Sequence, residues 1–341
     1  MAYISFQPNQ NYAPVAYSGT GASNSITGVG FQPDFTWIKE RNGGNSHMLT
    51  DVIRGVGFHL ESNGNASQIT QAQGVTAFGT DGFTLGTYTG MNTSGQNFIS
   101  WNWKGSNGTT SNGEGSVTTT VSANPTMGFS VVKWDGGGAT DTIGHGLGAI
   151  PKLIIIKRYN DGSNAWQVYY VAGGNKMKMY LSGTDGSTSS GWMNSTNPTS
   201  TVFTVTNDAD INDSGGQYVA YCFANVKGAI QSGKYKGNGN ADGPFIHTGF
   251  RPGWIMCKRY SDTGNWVVWD TKRDGYNGDN STLEPNTADQ DDTGEQIDIL
   301  SNGFKMRNTG TWANASGSNY IYLAVATIPF VSSNSKAGTS R

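Results

Sequence analysis

Gly30-Phe31-Gln32-Pro33-Asp34-Phe35-Thr36-Trp37-Ile38-Lys39 has two counterparts further along the chain. They are Ala149-Ile150-Pro151-Lys152-Leu153-Ile154-Ile155-Ile156-Lys157 and Gly249-Phe250-Arg251-Pro252-Gly253-Trp254-Ile255-Met256-Cys257-Lys258. Each carries Pro, one residue, a large apolar residue, and Lys as the sixth residue after Pro. Proline fits the first residue of a strand, where its missing N–H breaks no ladder bond, so the three stretches predict strand starts.

Other marks keep step with the first. Upstream lie Tyr17-Ser18-Gly19-Thr20-Gly21, Trp134-Asp135-Gly136-Gly137-Gly138 and Tyr235-Lys236-Gly237-Asn238-Gly239, the aromatic residue 16 or 17 positions before its Pro. Downstream, stretches starting at His47, Trp166 and Trp266 begin 14 or 15 positions after Pro. In the first and third of these, Asp51 and Asp270 are each followed three residues later by Arg, Arg54 and Arg273, which reads as a repeated salt bridge or turn. Late in each copy come Asn92-Thr93-Ser94-Gly95, Asn212-Asp213-Ser214-Gly215 and Asn314-Ala315-Ser316-Gly317, followed by Phe98-Ile99, Tyr218-Val219 and Tyr320-Ile321. Asn and Ser bond nearby backbone and Gly takes positive φ, so this mark predicts a turn feeding a strand. Nine or ten residues before each Asn stand the β-runs that open with Phe83, Phe203 and Phe304.

Composition agrees with a turn-rich β-protein. Glycine supplies 49 of 341 residues, whereas charged residues are only 13%, against about 25% in an average protein. The expected fold class is all-β, with three tandem related β-sandwich units of jelly-roll or concanavalin A-like kind. The expected boundaries are 15–105, 129–228 and 229–328, with 1–14 as an extended N-terminal arm, 106–128 as a flexible Gly/Ser/Thr linker and 329–341 as a tail. Spacing alone leaves open whether the units are separate sandwiches or one threefold body.

The landmarks 28–39, 81–86, 218–224, 249–252 and 299–305, with Pro329-Phe330-Val331, resemble a domain family of uncharacterised function, the DUF7483-type domain of tailed-bacteriophage virion proteins. The resemblance implies a non-enzymatic virion structural protein, made in the host cytoplasm. It would be a surface-exposed tail fibre or spike component contacting host envelope glycans. A capsid decoration, cement or head-fibre protein is the alternative, and a glycan depolymerase a distant third. The implied partners are other virion proteins of tail or capsid and host surface polysaccharide, and a homo-oligomer, such as a trimer, suits either role. The family has no agreed catalytic residues, so it assigns none here.

The residues themselves point the same way. With 22 basic and 24 acidic residues and no basic run, the chain lacks the footprint of a nucleic-acid binder. No stretch approaches the roughly 20 apolar residues of a membrane helix, and the N-terminus has no signal-peptide pattern. Cys222 and Cys257 sit in apolar runs and read as buried free thiols. No nucleophile elbow, HExxH, CxxC or Walker loop appears, and His145 and His247 read as turn histidines bonding local backbone. No cofactor is expected; calcium is considered for Asp208, Asp210 and Asp213, while the acidic run 289–295 ends its loop on Leu300 where an EF-hand needs Glu. Trp166 and Trp266 are assigned to the core, whereas Trp192 and Trp312, in polar stretches, are the candidates for stacking on sugar rings. Tyr3, Ile4, Phe6 and Tyr12, without an evident local partner, are the candidates for anchoring the arm to a neighbouring chain.

Overall fold

The computed structural model describes residues 7–273, 277 and 280–327. The fold is all-β, with strand forming 43% of the structure and helix 2%, in several antiparallel sheets.

One four-strand order occurs three times. An opening strand pairs with a closing strand, which pairs with the proline strand, which pairs with a return strand. In the first copy these are Tyr12–Ser18, Asn97–Trp103, Phe35–Glu40 and Met48–Asp51. The second copy uses Phe129–Asp135, Gln217–Ala224, Pro151–Arg158 and Gln167–Tyr170. The third uses Ile230–Lys236, Asn319–Ala326, Pro252–Arg259 and Trp266–Asp270. The registers agree to the residue: Phe35 opposes Trp103 and Asp51, Leu153 opposes Phe223 and Tyr170, and Trp254 opposes Val325 and Asp270.

Each large sheet buries both faces. Its outer face lies under a small sheet of the same copy, where Ile26 opposes Phe83, Ile143 opposes Phe203 and Ile246 opposes Phe304. The resulting sandwich-like cores are separate clusters. The inner faces of all three large sheets contribute to one shared core, which holds Tyr12, Phe35, Trp37, Trp101 and Trp103 with Phe129, Leu153, Trp166 and Tyr221 and with Trp254, Met256 and Trp266. Alternation along a strand therefore feeds two cores, which explains why the closing strands bury nearly every residue instead of every second one.

Two expected boundaries change. Tyr12 is not part of an arm: it is completely buried, begins the first opening strand opposite Trp103, and packs against that ring, tilted by 49° with centroids 4.9 Å apart. Tyr3, Ile4 and Phe6 lie outside the described residues, as does the whole of the expected tail. The stretch 106–128, expected to be a flexible linker, contains strands Thr110–Asn112 and Thr119–Asn124, which extend the second large sheet beyond Phe129–Asp135. Asp34 secures its start, accepting from Gly105 N, Asn107 N and Gly108 N at 2.7–3.1 Å.

The buried Asn of the late turn is the hinge pin of every copy. Asn92, Asn212 and Asn314 are fully buried, and their side chains accept from Thr20 N, Gly137 N and Asn238 N in the glycine turn that follows the opening strand. Their own backbone oxygens take Gly21 N, Gly138 N and Gly239 N, glycines at φ +70, +68 and +66. That conformation strains any residue with a Cβ, so the Asn and its glycine form one unit.

Candidate functional site

The three copies join head to tail through equivalent positions. Gln68 N donates to Tyr159 O between the first and second copies, Ser187 N to Tyr260 O between the second and third, and Asp291 N to Arg41 O between the third and first. Tyr159, Tyr260 and Arg41 each stand eight residues after the copy's Pro. Trp166 Nε1 reaches back to Glu61 O at 2.9 Å and Trp266 Nε1 to Tyr180 O at 2.8 Å. The copies thus close into a ring.

The repeated lysines belong to these seams. Lys39, Lys157 and Lys258 are fully buried, and each ammonium donates to backbone oxygens of its own loop: Gly43 O, Asn164 O and Gly264 O. Lys157 also reaches Asn65 O of the first copy, and Lys258 reaches Thr184 O of the second. Burial brings all three down to about 8, with neighbouring carboxylates opposing the shift.

The Asp/Arg pairs lie in the shared core. Arg54 Nε meets Asp51 at 2.6 Å and Arg273 Nε meets Asp270 at 2.7 Å, all four side chains essentially buried. Asp51 accepts from Tyr221 of the second copy, and Asp270 accepts from Trp101 Nε1 of the first. In the second copy, Tyr170 and Gly173 replace Asp and Arg, and the closing-strand residue in register with Tyr221 and Trp101 is Leu323. At that contact the carboxylate and the donor that it would accept from are both absent.

The residues expected to bind ligands are dispersed. Trp192 is 1% exposed and sits in the second copy's core with Ile143 and Phe203, so its ring presents no face to a sugar. Its polar neighbours stay outside while the indole turns inward, a direction that local composition does not encode. Trp312 packs half-buried against the third core, its backbone N–H donating to Glu295 Oε1 at 3.3 Å. Asp208 caps Asp210 N, Asp210 bonds Asn164 and Gln167, and Asp213 faces Arg158, so the three carboxylates diverge. Among the described residues no group of three or more His, Cys, Asp or Glu side chains is placed to hold a metal ion. The run 289–295 diverges as well: Asp291 pairs with Arg41 and Arg273, Asp292 caps Thr293 N and Gly294 N, and Glu295 is buried.

His47, His59, His145 and both cysteines are likewise engaged or buried, whereas His247 is exposed. His47 accepts from Trp37 Nε1, His145 takes Leu147 N and faces Thr199 O, and burial lowers the pKa of both. Burial alone is the leading cause that brings His59 down to about 4. Cys222 and Cys257 are free, buried thiols whose pKa burial raises.

An open groove lies at the seam between the third and first copies. At the two covalent seams, Met127 and Ala229 of the connecting chain are fully buried in the shared core. Between the third and first copies lies a cavity of about 450 Å³. The first copy lines it with Asn9, Tyr12, Ala13 and Pro14 and with the turn Gly28-Val29-Gly30; the third adds Arg251, Thr271, Lys272 and Thr327. Asp81 holds the turn by accepting Gly28 N at 3.0 Å and Gly30 N at 2.6 Å, which lowers its pKa. Arg251 is half-buried, its Nε is shielded from solvent without a hydrogen-bond partner, and burial lowers its pKa. Gln32 and Ile150 occupy its position in the other copies, so repeat comparison singles Arg251 out only once the groove is seen.

No curated protein and no solved structure matches the chain. The model of DUF7483, a domain of unknown function, matches residues 7–329, and the chain belongs to that family.

Proposed function

We propose that this chain is a non-enzymatic structural protein of a bacteriophage virion: a surface-exposed fibre or spike component, built of three tandem related β-sandwich units, that contacts host envelope glycans. The closed ring carries the reading. Its buried lysines, Asp/Arg pairs and asparagines are bonded within or between copies, which turns charge and amide groups to cohesion. Such a body resists shear and presents a polar, weakly charged exterior suited to neutral or mildly acidic surfaces. A role in capsid decoration draws on a different feature, the first opening strand Tyr12–Ser18, which is a sheet edge available for pairing with another chain.

Gold-labelled antibody against the protein, imaged on intact particles, tests the placement. Tail labelling together with saturable binding of the purified protein to host cells, competed by soluble host polysaccharide, is the expected result. Head labelling, with particles that fall apart in its absence, would establish decoration instead.

A further inference from the structure

We infer that the groove at the open seam binds a carboxylate-bearing sugar, with Arg251 and Lys272 holding the carboxylate; the inference rests on the glycan-contact reading only for the source of that sugar. Arg251 is the anchor. A half-buried guanidinium whose Nε meets no acceptor among the described residues loses hydration at that atom without return, and the cost disappears when an anion arrives from outside. Elsewhere the third copy does pair its arginines: Arg273 binds Asp270 and Asp291, Arg307 binds Asp298, and Arg259 binds Asp262.

The nearby acids are already committed. Asp270 is held by Arg273 and Trp101, and Asp81 by the two glycine amides of the turn. Lys272 is exposed at the rim, and its backbone N–H donates to Asp270. Two cations of different reach therefore border one cavity. Guanidinium favours a planar carboxylate through two parallel N–H bonds, and the ammonium adds a point charge beside it.

The rest of the lining suits a polyol more than a bare ion. Asn9, Thr271 and Thr327 bring an amide and hydroxyls to the lining. About 450 Å³ falls within the range of small-molecule sites, about 300–1,000 Å³, and exceeds what a carboxylate alone would fill. The ligand class is therefore a uronic acid or another acidic monosaccharide unit.

Saturation-transfer NMR and calorimetry on the full chain, with glucuronate and galacturonate as probes and glucose, galactose, acetate and inorganic phosphate as controls, test this. The uronates should bind at least tenfold more tightly than either neutral sugar and than acetate or phosphate. Arg251→Gln should weaken uronate binding at least tenfold and Lys272→Gln severalfold, with unchanged circular dichroism melts. Equal binding of uronates and neutral sugars, equal binding of uronates and acetate or phosphate, or indifference to both substitutions would overturn the inference. Uronate binding by a protein that does not adhere to cells would leave the groove assignment standing and remove host attachment.

Discussion

At the scale of single residues, the shared core tolerates charge only where geometry completes it. Arg273 donates to Asp270, Asp291 and Val268 O, and its guanidinium lies 6.0 Å from the Trp101 ring centroid. Removing one partner of a buried pair leaves the other uncompensated, at a cost of about 3–5 kcal/mol. Arg273→Met should lower stability by that amount in urea denaturation; a loss below about 1 kcal/mol would contradict the account. The second copy shows the other solution, in which Tyr170 and Gly173 stand where Asp and Arg stand, and a Cβ on Gly173 would collide with the Tyr170 ring. The Asp-to-Arg spacing was visible in the sequence. Its partners Tyr221 and Trp101 were not, because they come from the neighbouring copy. The three lysines were equally visible as a repeat, yet full burial is so rare for lysine that only the converging backbone oxygens reveal it.

At the scale of elements, turns and loops are held by single polar side chains. Glu295, just ahead of strand Ile297–Leu300, accepts from Trp312 N while its backbone oxygen takes Trp269 Nε1. Burial pushes its carboxyl up to about 7 from an ordinary 4.5, and Glu284 is raised to about 7 by the same cause. A carboxyl that binds its proton more firmly when folded stabilises the fold fully below about 4.5, and that contribution is lost as pH rises through about 7. Between about pH 5 and pH 8 the melting temperature should therefore fall relative to that of the double variant Glu284→Gln, Glu295→Gln, in which the opposing contribution of the buried histidines is unchanged. The same slope in both proteins would show that these carboxyls do not govern it. Residues 106–128 illustrate the opposite limit of sequence reading. Gly, Ser and Thr describe a chain content in water, but an adjacent strand edge satisfies its backbone, and Asp34 pins its start.

At the scale of the whole molecule, three copies depend on one core. Each large sheet uses its inner face to cover the other two, so an isolated copy would expose a broad aromatic surface. Calorimetry should accordingly show a single cooperative transition for the full chain, and residues 129–228 expressed alone should not fold. Three resolved transitions, or a folded fragment, would mean that the copies are independent domains. Ring closure also explains the placement of the groove. Connecting chain buries Met127 and Ala229 at two seams, whereas the third is joined by hydrogen bonds and by the Arg41–Asp291 ion pair at 2.8 Å.

The sequence by itself determined the all-β class, the threefold repeat and the placement of the main strands. Those features depend on local backbone chemistry: proline at strand starts, glycine at positive φ, and Asn that bonds a nearby turn. Only the tertiary structure decided that the copies share a core, that Trp192 and Tyr12 turn inward, and that a groove lined by the half-buried Arg251 opens at one seam. The seam bonds end largely on main-chain oxygens such as Glu61 O, Asn65 O and Tyr180 O. Every residue carries that acceptor, so its use leaves no trace in residue type, and only the folded chain shows which oxygens meet which donors.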